Sequence, residues 1–201
     1  MNKRGRPRSF DRQQALFCAM KLFWKKGFED TSMTDLIQAM GIASPSLYAA
    51  FGSKESLFLE ALDLYQSTVN REIWGALVDG HTIHAAIEGF LVNTALAYSQ
   101  ADVPAGCMIV LGAHPALAGE GPVGDDLKQR RADNILHLRQ RFQRALAERE
   151  VPEGFDCDAA ATFFATLQTG MSLLARDGAD RETLMAVARN GVLALSGLVR
   201  E

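Results

Sequence analysis

The chain has 201 residues, 48% hydrophobic and 22% charged, which suits one sizeable core or a small module joined to a larger one and excludes a disordered chain. Its longest apolar stretches, such as Cys107 to Ala113, fall far short of the ~18 residues of a membrane span, and no apolar segment follows the basic start as a secretory signal requires. The net charge of −3 is unevenly spread: residues 1–54 hold nine bases against four acids, +5, and the remainder 12 bases against 20 acids, −8. A basic head on an acidic body is the footprint of a protein that touches a polyanion with one end.

Taken in order, nearly every segment has helical periodicity. Residues 11–27 put Leu16, Ala19, Met20 and Phe23 on one face and end at Gly27. Ser32-Met33-Thr34-Asp35 has the form of a capping box and opens a short helix stopped by Gly41. Ser44-Pro45 supplies an N-cap followed by proline at the first helical position, and that third helix runs to Phe51 and Gly52. Ser53 caps a long fourth helix with a stripe of Phe58, Leu62, Tyr65, Val69 and Ile73, broken at Asp79-Gly80. Thr82 or a neighbour restarts the chain toward Ser99. Connectors at 101–106 and 115–124 flank a short apolar helix, and long helices follow at about 124–150, 156–177 and 180–199. No strand alternation stands out, so the expected fold is all-α with about nine helices.

Two short helices joined by a tight glycine-containing turn and braced by a longer one form a helix-turn-helix unit, whose second helix enters a DNA major groove N-terminus first. Its opening residues Ser44, Pro45 and Ser46 are small, which lets the backbone approach base edges while the hydroxyls bond bases or phosphates. Tyr48 follows one turn on, and Lys54 adds an ammonium to the positive end of a helix, a phosphate clamp. Leu47 and Phe51 are read as core. The arm Lys3-Arg4-Gly5-Arg6-Pro7-Arg8 has two readings: a slim strand that puts Arg4, Arg6 and Arg8 into a narrow minor groove, or a diffuse basic tail.

Thr31-Ser32-Met33, Leu36-Ile37, Met40-Gly41-Ile42, Ser46-Leu47-Tyr48 and Phe51 to Leu57, with Ala19, Leu22-Phe23 and Gly27-Phe28 before them, resemble the signature of TetR-type transcriptional regulators across residues 10–62. The resemblance implies DNA contacts by Thr34, Ser44, Pro45, Ser46, Tyr48 and Lys54, a homodimer built on the last two long helices, and an effector pocket in the C-terminal half. Ala49 and Ala50 depart from it, standing where many relatives carry larger groups. The implied organisation is a basic arm over 1–9, a DNA-binding domain over 10–54 and an effector and dimer domain over 55–201. The function expected is a one-component repressor of a palindromic operator, with double-stranded DNA, a second copy and a small-molecule effector as partners, and with no cofactor and no membrane.

The C-terminal half says less. Pro104 to Met108, Gln168 to Ser172 and the basic arm are similar, more weakly, to a subgroup that includes a copper-responsive repressor. Phe90, Cys107, Met108 and His114 are the candidate ligand residues. Cys107, Met108, His114 and Cys157 are ligands of the kind that hold Cu(I), yet no two have ligand spacing. Cys18, Cys107 and Cys157 form no disulfide framework, as suits a reducing cytoplasm. Gly119 to Gly124 spells G-x-G-x-x-G without the strand that pattern requires, and is read as a flexible connector; no nucleophile elbow, P-loop or H-E-x-x-H points to an enzyme. Phe163, Leu167, Met171, Leu184 and Leu195 are assigned to the subunit interface, with Gly170, Gly191 and Gly197 read as places where a partner helix comes close. The rival readings are a copper-responsive repressor and a helical interaction protein whose basic end is incidental.

Overall fold

The computed structural model describes residues 10–112 and 121–199, so the arm with Arg4, Arg6 and Arg8, and His114, lie outside the described residues. Among those described there are ten helices and no strand: α1 Arg12–Lys26, α2 Met33–Met40, α3 Ser44–Phe51, α4 Lys54–Ser67, α5 Arg71–Asp79, α6 Ile83–Tyr98, α7 Met108–Leu111, α8 Gly121–Ala147, α9 Cys157–Arg176 and α10 Arg181–Leu198. Each helix start with a side-chain cap is written locally in the sequence. Asp11, Ser53, Thr82, Asp156 and Asp180 all accept from backbone N–H groups of the following turn, which would otherwise be unpaired.

The expected fourth helix is two. Its apolar stripe does continue, with Leu62 and Tyr65 buried in α4 and Ile73 in α5, but the backbone is interrupted between them. The Ser67 hydroxyl donates to the Asp63 carbonyl and the Thr68 hydroxyl to the Leu64 carbonyl, at 2.9 and 2.6 Å. Such back-bonding competes with the helical ladder and bends it, and the Asn70 N–H reaches five residues back to the Tyr65 carbonyl. Periodicity reports the stripe and is blind to the hydroxyls. At the other correction, Gly121 to Gly124 is the first turn of α8 rather than a connector.

Helix α6 is the axis of the C-terminal body. It packs against α5, α8, α9 and α10 and buries residues on several faces, among them Ile87, Phe90, Leu91 and Tyr98. Glu150, just past α8, accepts from the Ile83 N–H that opens α6 and from Arg141 Nη2 at 3.2 Å. Gly191 of α10 makes room inside this packing: a Cβ there would meet Leu167 Cδ2 at 2.6 Å and Leu91 Cδ1 at 2.7 Å. The compensation for that glycine is therefore within one chain, not a partner helix.

The N-terminal three helices join the body through the end of α1. Trp24 Nε1 donates to the Gly106 carbonyl at 3.0 Å, the Phe28 N–H to the Gly112 carbonyl at 2.8 Å, and Arg176 to the Trp24 and Lys25 carbonyls at 2.7 and 2.8 Å. Gly106 is required here. Its φ is +80°, and a Cβ would stand 2.6 Å from the Ser172 carbonyl oxygen. Gly106→Ala should thus destabilise the fold by about 1–3 kcal/mol. Thermal unfolding should register a loss of roughly 2–4 °C per kcal/mol; an unchanged midpoint would remove Gly106 from the junction.

Candidate nucleic-acid interface

The reader is built from three constraints. The first is the entry to α2. Ser32 Oγ accepts from the Asp35 N–H at 3.1 Å, and the Asp35 carboxylate accepts from the Ser32 N–H at 3.1 Å, a closed capping box. Lys26, 3.0 Å from the same carboxylate, ties the end of α1 to this turn. The Lys26 ammonium, then the Ser32 amide and hydroxyl, hold the Asp35 carboxyl down at about 2, from 3.8.

The second is the turn. Gly41 closes α2 in the left-handed region, with φ 65° and ψ 31°, and Ile42 is buried beyond it. Helix α3 then opens differently from the sequence expectation: Ala43 is the N-cap, Ser44 is already the first helical residue, and Pro45 the second. The Ser44 hydroxyl is not used as a cap, so the opening turn of α3 has no side-chain hydrogen bond closing it. Pro45 has no N–H and the Ser46 N–H donates to the Ala43 carbonyl at 2.9 Å, so what this helix start offers an anion is chiefly its positive dipole end.

The third is the brace behind α3. Leu47 and Phe51 are buried, as expected of core positions. Arg12 of α1 donates to the Ala50 carbonyl at 3.2 Å, pairs with Glu60 of α4 at 2.7 Å, and stacks its guanidinium 4.4 Å from the centre of the Phe51 ring. One side chain thereby holds the end of α3 to α1 and α4. In the sequence Arg12 is one of nine bases of the head with nothing to single it out. Its partners are 38 and 48 residues away, so no local pattern marks it.

With those constraints in place, one face is left outward. Pro45, Tyr48 and Ala49 are exposed, Tyr48 by 50%, with Ser44 and Ser46 half-exposed beside them. Thr34 is exposed in the first turn of α2. Lys54, the first residue of α4, is half-buried with Nζ 4.4 Å from the centre of the Phe28 ring, and Phe28 packs edge-on to Phe58 in the core. The cation–π contact fixes the ammonium in place without neutralising it. Five of the six described DNA candidates thus lie at the starts of α2, α3 and α4, and Tyr48 lies one turn into α3. The charge of the head is less free than the count implied: Arg12 and Lys26 are paired with Glu60 and Asp35, and Lys21 donates to the Asp102 carbonyl.

The C-terminal candidates fare unevenly. Phe90, Cys107 and Met108 are all buried in the packed core. Cys107 stands beside Tyr65 and Tyr98; burial, then the thiol, pushes both phenols well above their usual range. No three His, Cys, Asp or Glu side chains among the described residues are grouped to hold a metal ion. Of the interface candidates, Met171, Leu184 and Leu195 are buried within the single chain, so they are core of the protomer. Phe163 is 44% exposed and Leu167 half-buried, and they continue along α9 into Gly170 and the 41%-exposed Leu174. At this spacing the four make one helix stripe, and a groove of about 260 Å³ runs along it to Val187 of α10. Among the described residues, nothing beyond the local helix backbone and chain neighbours lies within 4 Å of a Cβ placed on Gly170 or Gly197.

A family model for bacterial regulatory proteins of the tetR family matches residues 18–61. The chain is 36% identical to the HTH-type transcriptional repressor ComR of Escherichia coli over 186 residues, 92% of this chain and 89% of that protein. It is 32% identical to the repressor BdcR of the same organism, covering 98% and 95%. Among solved structures, a cysteine mutant of the TetR family regulator CifR, complexed with 26bp double-strand operator DNA, superposes with a TM-score of 0.88 at 37% identity, covering 94% of this chain and 99% of that one.

The Asp35 geometry has a measurable consequence. A carboxyl lowered in the folded state contributes stability that is full above its unfolded value of 3.8 and lost as pH falls through about 2. Asp35→Asn should therefore lower the unfolding midpoint near neutral pH, with the gap to the unmodified chain closing toward about pH 2. A gap that stays constant across that range would mean the charge of Asp35 does nothing for the turn.

Proposed function

The chain belongs to the TetR family of bacterial regulatory proteins, and from that premise we propose that it is a homodimeric transcriptional repressor of a palindromic operator, released by an effector in its C-terminal half. The observation that carries the reading is the outward face of α3, uncapped at its start and braced from behind by Arg12, with Lys54 fixed at its flank. In this reading Pro45, Ser44 and Ser46 meet the groove, Tyr48 and Thr34 take phosphates or base edges, and Lys54 clamps the backbone. Arg4, Arg6 and Arg8 extend the contact into the minor groove. The reader comprises residues 10–54, and residues 55–201 take the effector and the partner subunit. Similarity to two named repressors and to a regulator solved on its operator supports this assignment.

Each protomer offers one recognition helix, so two-fold symmetry supplies the second and the operator repeats in inverted halves. The dimer surface is the α9 stripe of Phe163, Leu167, Gly170 and Leu174 together with Val187 of α10. An effector lowers operator occupancy only by preferring the non-binding arrangement, and a hundredfold shift needs about 2.7 kcal/mol of differential binding. Such a protein performs no catalysis and works in the cytoplasm, where the chromosome is; no helix among the described residues is long and apolar enough to cross a membrane.

Fluorescence anisotropy on DNA from the region upstream of the chain's own gene tests the reading. Lys54→Ala should weaken binding and flatten the salt dependence by about one unit per subunit, because one phosphate contact is lost from each half-site. Arg12→Ala should weaken binding with little change in slope, since Glu60 already neutralises that guanidinium. Unchanged affinity in both variants would remove this face from DNA.

Sedimentation tests the dimer. Leu174→Glu puts a charge on the exposed stripe without touching the protomer core, and should yield a folded monomer with much weakened operator binding. A full-affinity dimer would place the interface elsewhere.

A further inference from the structure

A cleft of about 420 Å³ opens between α5 and α8, away from the α3 face and from the α9 stripe. Its apolar side is Trp74, Leu77 and Val78; its polar side is His137, Arg141 and Arg144, with Gln140 between. Among the described residues no acid lines it, with Asp79 Oδ2 behind Gly75, 3.8 Å from where a Cβ there would stand. Arg141 is only 3% exposed, and its Nη2 donates to Glu150 at 3.2 Å and to the Gly80 carbonyl at 3.4 Å. Its Nε and Nη1 have no hydrogen-bond partner, so three of the five N–H groups of a buried cation are unsatisfied beside the cleft. One carboxylate oxygen of Glu150 is already engaged by the Ile83 N–H, which limits what that acid returns to Arg141. Arg144 is paired with Glu148 at 3.0 Å on the outer rim. A buried guanidinium short of acceptors is costly unless something supplies them.

We propose that this cleft binds a small organic anion, a carboxylate carried on an apolar body, with the carboxylate toward Arg141 and the body against Trp74, Leu77 and Val78. The volume is within the range of small-molecule pockets and suits a ligand of modest size. Arginine is the side chain best matched to a carboxylate, and the aromatic wall selects for an apolar body over a bare inorganic ion. The cleft also lies where occupancy has mechanical consequence. Helix α5 follows α4 across the Ser67–Asn70 interruption, and α8 is tied to α4 by Arg130, which bonds Asp63 at 2.7 Å and also meets Gln66. A ligand that changes the α5–α8 spacing acts on two of the attachments of the helix whose first residue is Lys54. This regulatory part rests on the repressor reading above; the site itself does not.

Calorimetric titration of the full chain with hydrocinnamate and with octanoate, each beside its neutral alcohol, tests the inference. The acids should bind at least about tenfold more tightly than the alcohols. Arg141→Ala strips Glu150 of its partner and endangers the fold, so two other variants decide the location. Gly75 lines the cleft, and a Cβ there would meet only Asp79 Oδ2 at 3.8 Å; Gly75→Leu fills the space while favouring the helix. Val78 is 73% exposed, and Val78→Asp sets a negative charge on the wall. Both should remain folded by circular dichroism and lose at least about tenfold in affinity for the acids. Equal binding of acid and alcohol, undiminished binding in Gly75→Leu, or no binding of either acid would overturn the site. Saturating acid should also release operator from the unmodified chain. Acid binding that leaves operator affinity unchanged would overturn the regulatory role, and a chain that binds acid but no operator would overturn the repressor reading instead.

Discussion

The last carbonyls of α1 have no partner within their own helix, and the chain meets two of them with a residue 151 positions further on: Arg176 of α9 donates to both the Trp24 and Lys25 oxygens. The choice of a guanidinium is physical. A cation at a helix C-terminus interacts favourably with the dipole there, and a planar fork satisfies two adjacent acceptors at once. The end of α1 and the turn after it donate in return, through the Trp24 indole to Gly106 and the Phe28 amide to Gly112. Trp24 packs edge-on against Tyr65 of α4, so the polar clasp surrounds an aromatic contact. This junction and α4 connect the C-terminal body to the DNA-facing helices, and the Lys21 bond to the Asp102 carbonyl adds a further contact along α1.

From the clasp outward, α1 carries its position to the reader by side-chain chemistry. Lys26 reaches the capping box of α2, and Arg12 at the far end reaches α3 and α4. Helix α3 itself is only eight residues long, too short to be stable alone, and its place is imposed by Leu47, Phe51 and the Arg12 brace. That division leaves the outer face free of structural duty. Small residues at its start suit the close approach that groove recognition needs.

From the clasp inward, α9 has two roles on two faces. Its last residue completes α1, while Ser172, one turn earlier, accepts the Cys107 N–H at 2.8 Å and so fixes the start of α7. The opposite face holds the exposed Phe163 to Leu174 stripe. A partner subunit seated on that stripe would set the orientation of α9 and, through Arg176, of α1, which is a direct physical link between dimer geometry and the spacing of two readers. The interruption at Ser67–Asn70 gives the body a second attachment, because α4 and α5 meet at a place where the helical ladder is already weakened.

Much of this was legible in the chain order of residues, because it depends on local chemistry. Helix starts at Asp11, Ser32, Ser53 and Thr82 and stops at Gly27, Gly41 and Gly52 follow from caps and left-handed turns spanning a few residues. The outward positions of α2, α3 and α4 could be read from the same periodicity and from the family's signature. What tertiary structure alone decided is which apolar side chains face inward within one chain and which are left at its surface. Periodicity places Met171 and Leu174 both on apolar faces of α9; only the packing of that helix within the body buries the first and leaves the second at the surface. It likewise decided that Gly191 yields to Leu91 and Leu167 of its own chain, that Arg12 is a brace and not a free charge, and that Arg141 is buried with donors to spare. Hydrogen-bond caps are settled within one turn, whereas burial and ion pairing depend on surfaces brought together from dozens of residues apart, and no spacing in the sequence encodes that distance.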